Sequence, residues 1–253
     1  MDTTRVPSHR GSPPRVGLLV TCLVDAMRPG IGFAALRLLQ EAGCEVQVPR
    51  AQTCCGQPAF NSGDTRAAAA LARRLIAAFE PYDYVVVPSG SCAGMVRAHY
   101  AEALADDGPW LARARVLGDK THEIMSFLVD VMGFSPAPRR FAATATYHDS
   151  CSGLRELGVF EQPRALLRSV EGLELRALDG NDVCCGFGGT FCVKYPAISD
   201  AVVEEKAAAI EKTGAEVLLA STGHGSAMDI AGTGTARPDA LLRSLRLVAG
   251  LSC

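Results

Sequence analysis

Long apolar runs are missing from this 253-residue chain. Its most apolar stretches, such as YVVVP at 84–88, fall far short of the about 20 residues that cross a bilayer, so no membrane span is expected. A dominant charge is missing too. The 25 Lys and Arg stand against 27 Asp and Glu, a net charge of −2, which argues against nucleic acid or an anionic membrane surface as partner. The opening MDTTRVPSHRGSPPR has neither an apolar core nor a cleavage-like pattern, so residues 1–14 read as a flexible tail and the expected compartment is the cytoplasm. No CxxC spacing occurs, although that is the usual mark of structural zinc. Nor is there a Ser–His–Asp set or a paired-carboxylate constellation. CGFGGTF (185–191) lacks the lysine of a phosphate-binding loop and the spacing of a dinucleotide fingerprint, so no nucleotide cofactor is implied.

What the chain does have is ten cysteines, and two of its motifs set a pair side by side before a glycine: TCCGQP (53–58) and VCCGFG (183–188). In a reducing compartment clustered cysteines favour metal or redox chemistry over structural disulfides. Each motif sits in the same place within a repeated order of elements. RVGLLVTC (15–22) and FAATATYHDSC (141–151) read as strands ending in cysteine. GFAALRLLQEAG (32–43) and QPRALLRSVEG (162–172) follow as helices, then CEVQVP (44–49) and LELRAL (173–178) as strands. After each double cysteine come a helix, at 64–79 and 199–214, and a buried-looking strand, at 82–92 and 215–226. Strand–helix alternation of this kind predicts an α/β fold of two repeated parallel-sheet halves, 15–108 and 141–253, joined by a connecting helix and linker at 109–140.

The spacing repeats as well: 31 residues separate Cys22 from Cys54, and 32 separate Cys151 from Cys184. Cys22, Cys54, Cys55 and Cys92 all follow predicted strands. Parallel strands end at one edge, so these four sulfurs are expected to converge where open α/β sheets place their ligands. Neighbouring side chains of a regular strand point to opposite faces, so Cys54 and Cys55 can share a site only in a turn, which Gly56 permits. Thiolates gathered this way suit zinc or an iron–sulfur cluster; lone cysteines such as Cys44 and Cys253 read as small buried apolar residues.

TCLVDAMRPGIG, CCGQPAFNSGD, PSGSCAGM and CCGFGGTFCVKYPAIS, in this order, resemble the cysteine-rich CCG domain family, which includes the catalytic subunit of heterodisulfide reductase. They are most similar to a lactate-utilisation branch of it, and the likeness runs from about residue 15 to 232. It implies an iron–sulfur oxidoreductase component, with a 4Fe-4S cluster, acting with other iron–sulfur lactate-utilisation subunits to oxidise L-lactate to pyruvate. Carried over, the first site is Cys22, Cys54, Cys55 and Cys92; the broader pattern has a further cysteine where this chain has Met95. The second site keeps Cys151, Cys184 and Cys185 but has Ser226 at the distal cysteine position. His224 and Cys192 are alternative ligands there, and a site that binds its cluster weakly or not at all is another reading.

A 2-hydroxy acid substrate calls for a base and a cation. His148 is the candidate base, and Arg28, Arg155 and Lys194 are cations near cysteine motifs, each with a plain structural or surface reading beside it. Three other functions stay open: a heterodisulfide reductase-like subunit, a non-catalytic electron carrier or metal-binding scaffold serving a partner dehydrogenase, and a zinc-binding or metal-free α/β protein.

Overall fold

The computed structural model describes residues 12–188 and 190–220. In chain order the first half runs β1 (Arg15–Leu18), α1 (Cys22–Met27), α2 (Pro29–Glu41), β2 (Glu45–Gln47), α3 (Gln57–Asn61), α4 (Thr65–Phe79) and β3 (Tyr84–Val87). Then come α5 (Gly90–Gly94), a π-helical turn at Met95–His99, α6 (Tyr100–Ala103), α7 (Gly108–Asp119), β4 (Thr121–Glu123), α8 (Ile124–Ser126) and a second π-helical turn at Phe127–Val131. The second half runs β5 (Arg139–His148), α9 (Cys151–Arg155), α10 (Glu161–Arg168), β6 (Val170–Arg176), α11 (Thr190–Lys194), α12 (Pro196–Lys212) and β7 (Val217–Ala220).

Two parallel sheets result, ordered β2-β1-β3-β4 and β6-β5-β7 among the described residues. The shared core of that order, with the first strand of each half at the centre, is the structural form of the sequence repeat. Registers such as Val16 opposite Val46, and Ala145 opposite both Leu175 and Val217, make the central strands the most buried. No helix of the described residues is long and apolar enough to cross a membrane.

The helices form where sequence periodicity places them, and their apolar stripes decide which side of a sheet they cover. On α4 the Asp64 carboxylate accepts from the Ala67 amide at 2.9 Å and caps the helix, whose buried stripe is Ala68, Ala72, Leu75, Ile76 and Phe79. On α2 Pro29 occupies the first turn, three residues before the expected start, and Ala34, Ala35, Leu38 and Leu39 face inward. Strand alternation then sorts the first half's core into two layers. Val16, Leu18 and Val86 pack with α2 on one face, and Val85 and Val87 pack with α4 on the other. Each fully buried leucine or valine here stabilises the fold by about 1.5–3 kcal/mol. The second half's described core is a smaller cluster of Ala145, Tyr147, Leu167, Val217 and Leu219.

Within 109–140 the structure adds a strand that sequence pattern does not signal. β4 is only Thr-His-Glu, yet it pairs in parallel with β3 and extends the first sheet. Its polar residues can be buried because local partners satisfy them. Thr121 donates to the Leu117 carbonyl at 2.7 Å, and Glu123 accepts from the Met125 and Ser126 amides at 2.7 and 3.2 Å.

Candidate metal centre

Each half delivers cysteines to its sheet edge by the same device, a short polar residue capping a helix turn just after a strand. Thr21 accepts from the Val24 amide and starts α1 at Cys22; Ser150 accepts from the Gly153 amide and starts α9 at Cys151. Ser89 accepts from the Cys92 amide at 3.5 Å at the start of α5.

The double cysteines lie in turns rather than strands. Gly56 and Gly186 have φ of +86° and +87°, and their amides donate to Cys54 Sγ and Cys184 Sγ at 3.5 and 3.3 Å. That left-handed residue reverses the chain at each pair, so both cysteines of a pair face one region.

The first site brings four sulfurs into contact. Cys22 Sγ lies 3.8 Å from Cys54 Sγ, and Cys55 Sγ lies 3.2 Å from Cys92 Sγ. Exposure falls across the set, from Cys22 at the surface to Cys55 at 4%. Tyr100, itself buried, donates its hydroxyl to the Cys55 carbonyl at 2.9 Å and pins the turn from beneath. The thiols share protons alternately. Hydrogen bonds from Cys22 and then Cys55 hold Cys54 well below the usual thiol range, and Cys55 does the same for Cys92. Those donors are pushed up in turn, Cys22 and Cys55 chiefly by their bonds to Cys54 and then, at Cys55, by Cys92 and burial. Four thiolates cannot ionise together in this space without a cation, and thiolates are what zinc and iron–sulfur centres take as ligands. The donor set therefore fits such a group, although no three His, Cys, Asp or Glu side chains among the described residues are set to hold a single ion. Met95, where the broader pattern has another cysteine, is fully buried in the apolar core. Cys44 is also a core residue, its thiol pushed up to about 11 by burial.

The second site has three thiols and a polar frame. Cys151 is pushed up first by burial and then by Cys184 and Cys185, which places all three within electrostatic reach. Asp149, buried, takes two hydrogen bonds from Arg164 at 2.8 and 2.6 Å and one from Asn181 at 2.6 Å. Arg155 donates to the Asp182 carbonyl at 2.8 Å, and Ser199 donates to the Gly186 carbonyl at 2.9 Å. Lys206, only 5% exposed, donates to the Gly180 carbonyl at 2.6 Å. Sequence reading missed Asp149, Ser199, Lys206 and Tyr100. The signal for the first was its place beside a capping serine, in DSC; for Lys206, a lysine on the inward face of a helix.

Of the other candidates, His148 ends β5 and is 8% exposed, Arg28 is half-buried, and Lys194 is exposed. Cys192 lies on α11, where its amide donates to the Phe187 carbonyl at 3.2 Å. His224, Ser226 and Cys253 lie outside the described residues. The two sites adjoin, because α5 and α9 pack at backbone distance. A side chain on Gly90 would come within 3.0 Å of the Gly153 backbone, and His99 reaches Glu156 at 3.6 Å across the same contact. A cleft of about 590 Å³ opens beside Cys22 and Cys54, lined by Val20, Phe33, Leu36 and Val48 with Asp25 and Arg50.

This duplicated geometry has counterparts in known proteins. The cysteine-rich domain model CCG matches twice, over residues 16–97 and 145–227, so the first match encloses Cys22, Cys54, Cys55 and Cys92 and the second encloses Cys151, Cys184 and Cys185. Lactate utilization protein A of Bacillus velezensis is 50% identical over 205 residues, 81% of this chain and 86% of that protein. The proteins of that name from Bacillus subtilis and Bacillus licheniformis are 46% and 45% identical, each over 81% of this chain and 86% of theirs. The chain thus belongs to the CCG cysteine-rich domain family, with two copies of the domain, and within it to the family of lactate utilization protein A.

Proposed function

We propose that this chain is an iron–sulfur subunit of a lactate-utilisation system, cytoplasmic and acting with other iron–sulfur subunits in oxidation of L-lactate to pyruvate. The observation that carries the reading is the contact of four sulfurs from two helix starts and one turn at one sheet edge, in a chain whose relatives are named for lactate utilisation. Cys22, Cys54, Cys55 and Cys92 would hold the first cluster, of 4Fe-4S type; Cys151, Cys184 and Cys185 would hold a second. Such a cluster supplies one-electron steps, and oxidising a 2-hydroxy acid to a 2-oxo acid releases two electrons and two protons.

The residues around the sites favour electron handling over proton abstraction. His148 is 8% exposed, and Arg155 is committed to the Asp182 carbonyl. A second reading therefore stands beside the first: the chain carries electrons for a partner that removes hydride or proton from the substrate. Lactate-dependent dye reduction by the anaerobically prepared chain, alone and with its partner subunits, separates the two. Activity of the chain alone supports the enzyme reading. Activity of a partner alone, passed on through this chain, supports the carrier reading, and no lactate-dependent reduction in any combination refutes both.

A further inference from the structure

Lys206 is a buried ammonium with no carboxylate within salt-bridge distance among the described residues. It lies on α12 at 5% exposure and donates to the carbonyls of Gly180 at 2.6 Å and Asn181 at 3.5 Å. Those carbonyls stand four and three residues before Cys184, at the root of the loop that carries the double cysteine. A buried charge needs an anion as well as hydrogen bonds. Burial acts most strongly on this ammonium and holds its pKa below the usual lysine range; Cys185, Asp182, Cys151 and Cys184, in that order, oppose it by favouring the charged form. Asp182 is exposed to solvent. The three thiols are half-buried, and the loop that carries Cys184 and Cys185 is held on α12 at both ends, Gly180 by Lys206 and Gly186 by Ser199.

The first half shows what the position is without this role. The turn at Gly56 abuts the Ala68 carbonyl on α4, and the turn at Gly186 abuts the Ser199 carbonyl on α12. Seven residues further along each helix stand Leu75, fully buried in the apolar core, and Lys206. One half thus puts a hydrocarbon, and the other a cation, at the same place behind its cysteine loop.

We propose that Lys206 is the positioning cation of the second cysteine site: it anchors the loop that delivers Cys184 and Cys185 and keeps one buried positive charge beside three thiols. The inference rests on the reading of that site as one that holds metal, because the charge offsets the anion formed when all three thiols deprotonate as ligands. It also accounts for the different make-up of the two sites: the second has fewer thiols among the described residues and a fixed cation.

The test uses the full chain, purified reduced with chelator and alkylated with iodoacetamide at neutral pH, each cysteine being followed by mass spectrometry. Lys206→Met slows alkylation at Cys151, Cys184 and Cys185 by about threefold or more and leaves Cys54 unchanged. Lys206→Gln, which keeps a donor for Gly180 but drops the charge, slows it likewise, and Lys206→Arg restores the rate. A lysine that merely holds the loop gives the opposite sign, since a loosened loop exposes its thiols and speeds alkylation. Unchanged or faster alkylation in both neutral variants overturns the proposal. After anaerobic iron and sulfide loading, the signal assigned to the second site, by its loss in Cys185→Ala, titrates at a more negative potential in Lys206→Gln; an unchanged potential also overturns it. Should the unaltered chain load no iron at this site, the metal reading fails there, while the alkylation rates still judge Lys206.

Discussion

The two cysteine sites share a backbone and differ in what surrounds it. Both use a capped helix start for one cysteine and a left-handed glycine after a double cysteine, with near-identical φ of +86° and +87°. Behind the first turn lie Ala68, Leu75 and the Tyr100 hydroxyl. Behind the second lie Ser199, Lys206 and the Asp149–Arg164–Asn181 network. A duplicated fold keeps the geometry that aims sulfurs and leaves the support free to vary, because apolar packing and satisfied hydrogen bonds can hold a loop equally well. The first site draws its cohesion from a two-layered core, and the second from charge.

Replacing Asp149 by Ala tests that difference most severely. It takes the carboxylate from the half-buried Arg164 guanidinium and the anchor from Asn181, and breaking a largely buried pair from one side costs about 3 kcal/mol. Denaturation of Asp149→Ala should show that loss, with hydrogen exchange rising in 178–186 and not in 52–57; equal rises in both loops would mean that the sites are not separately supported.

Glu123 supplies the opposite case, a buried carboxylate with amide partners and, among the described residues, no paired cation. Burial pushes its pKa up to about 7, against partial compensation by the Ser126 and Met125 amides. The folded value lies above the ordinary 4.5, so its neutral form is favoured on folding. That contribution is full below about pH 4.5 and is lost as pH rises through 7. Glu123→Gln keeps the caps and cannot ionise. It should match the unaltered chain near pH 4 and exceed its stability by about 3 kcal/mol at pH 8; a pH-independent difference would refute the assignment.

Alanine at the two turn glycines gives a smaller and graded contrast. Both substitutions meet the left-handed backbone cost of about 1–2 kcal/mol. At Gly186 the added carbon would also stand 2.7 Å from the Ser199 carbonyl and 3.0 Å from the Val203 amide, whereas at Gly56 its nearest neighbour is 3.5 Å away. Gly186→Ala should therefore destabilise by about 1–3 kcal/mol more than Gly56→Ala in matched denaturant titrations. Equal losses would mean that the second turn is looser than its contacts imply.

Much of this was legible in the sequence. The repeat of cysteine spacing, the alternation of strands and helices and the left-handed role of Gly56 follow from period, spacing and residue type. The strand β4 did not, since three polar residues carry no alternation and owe their burial to hydrogen bonds with Leu117, Met125 and Ser126. Lys206 and Asp149 escaped for a related reason. Their partners lie 26 and 15 residues away, and a lysine in a helix reads as solvated until its neighbours are known.

The most direct test of the metal reading is iron and acid-labile sulfide content after anaerobic reconstitution of the unaltered chain, Cys55→Ala and Cys185→Ala. A cluster held by Cys22, Cys54, Cys55 and Cys92 requires that Cys55→Ala lose the first site's iron and keep the second site's, with Cys185→Ala losing the complementary share. Less than about one iron in the unaltered chain, or undiminished iron in Cys55→Ala, contradicts it.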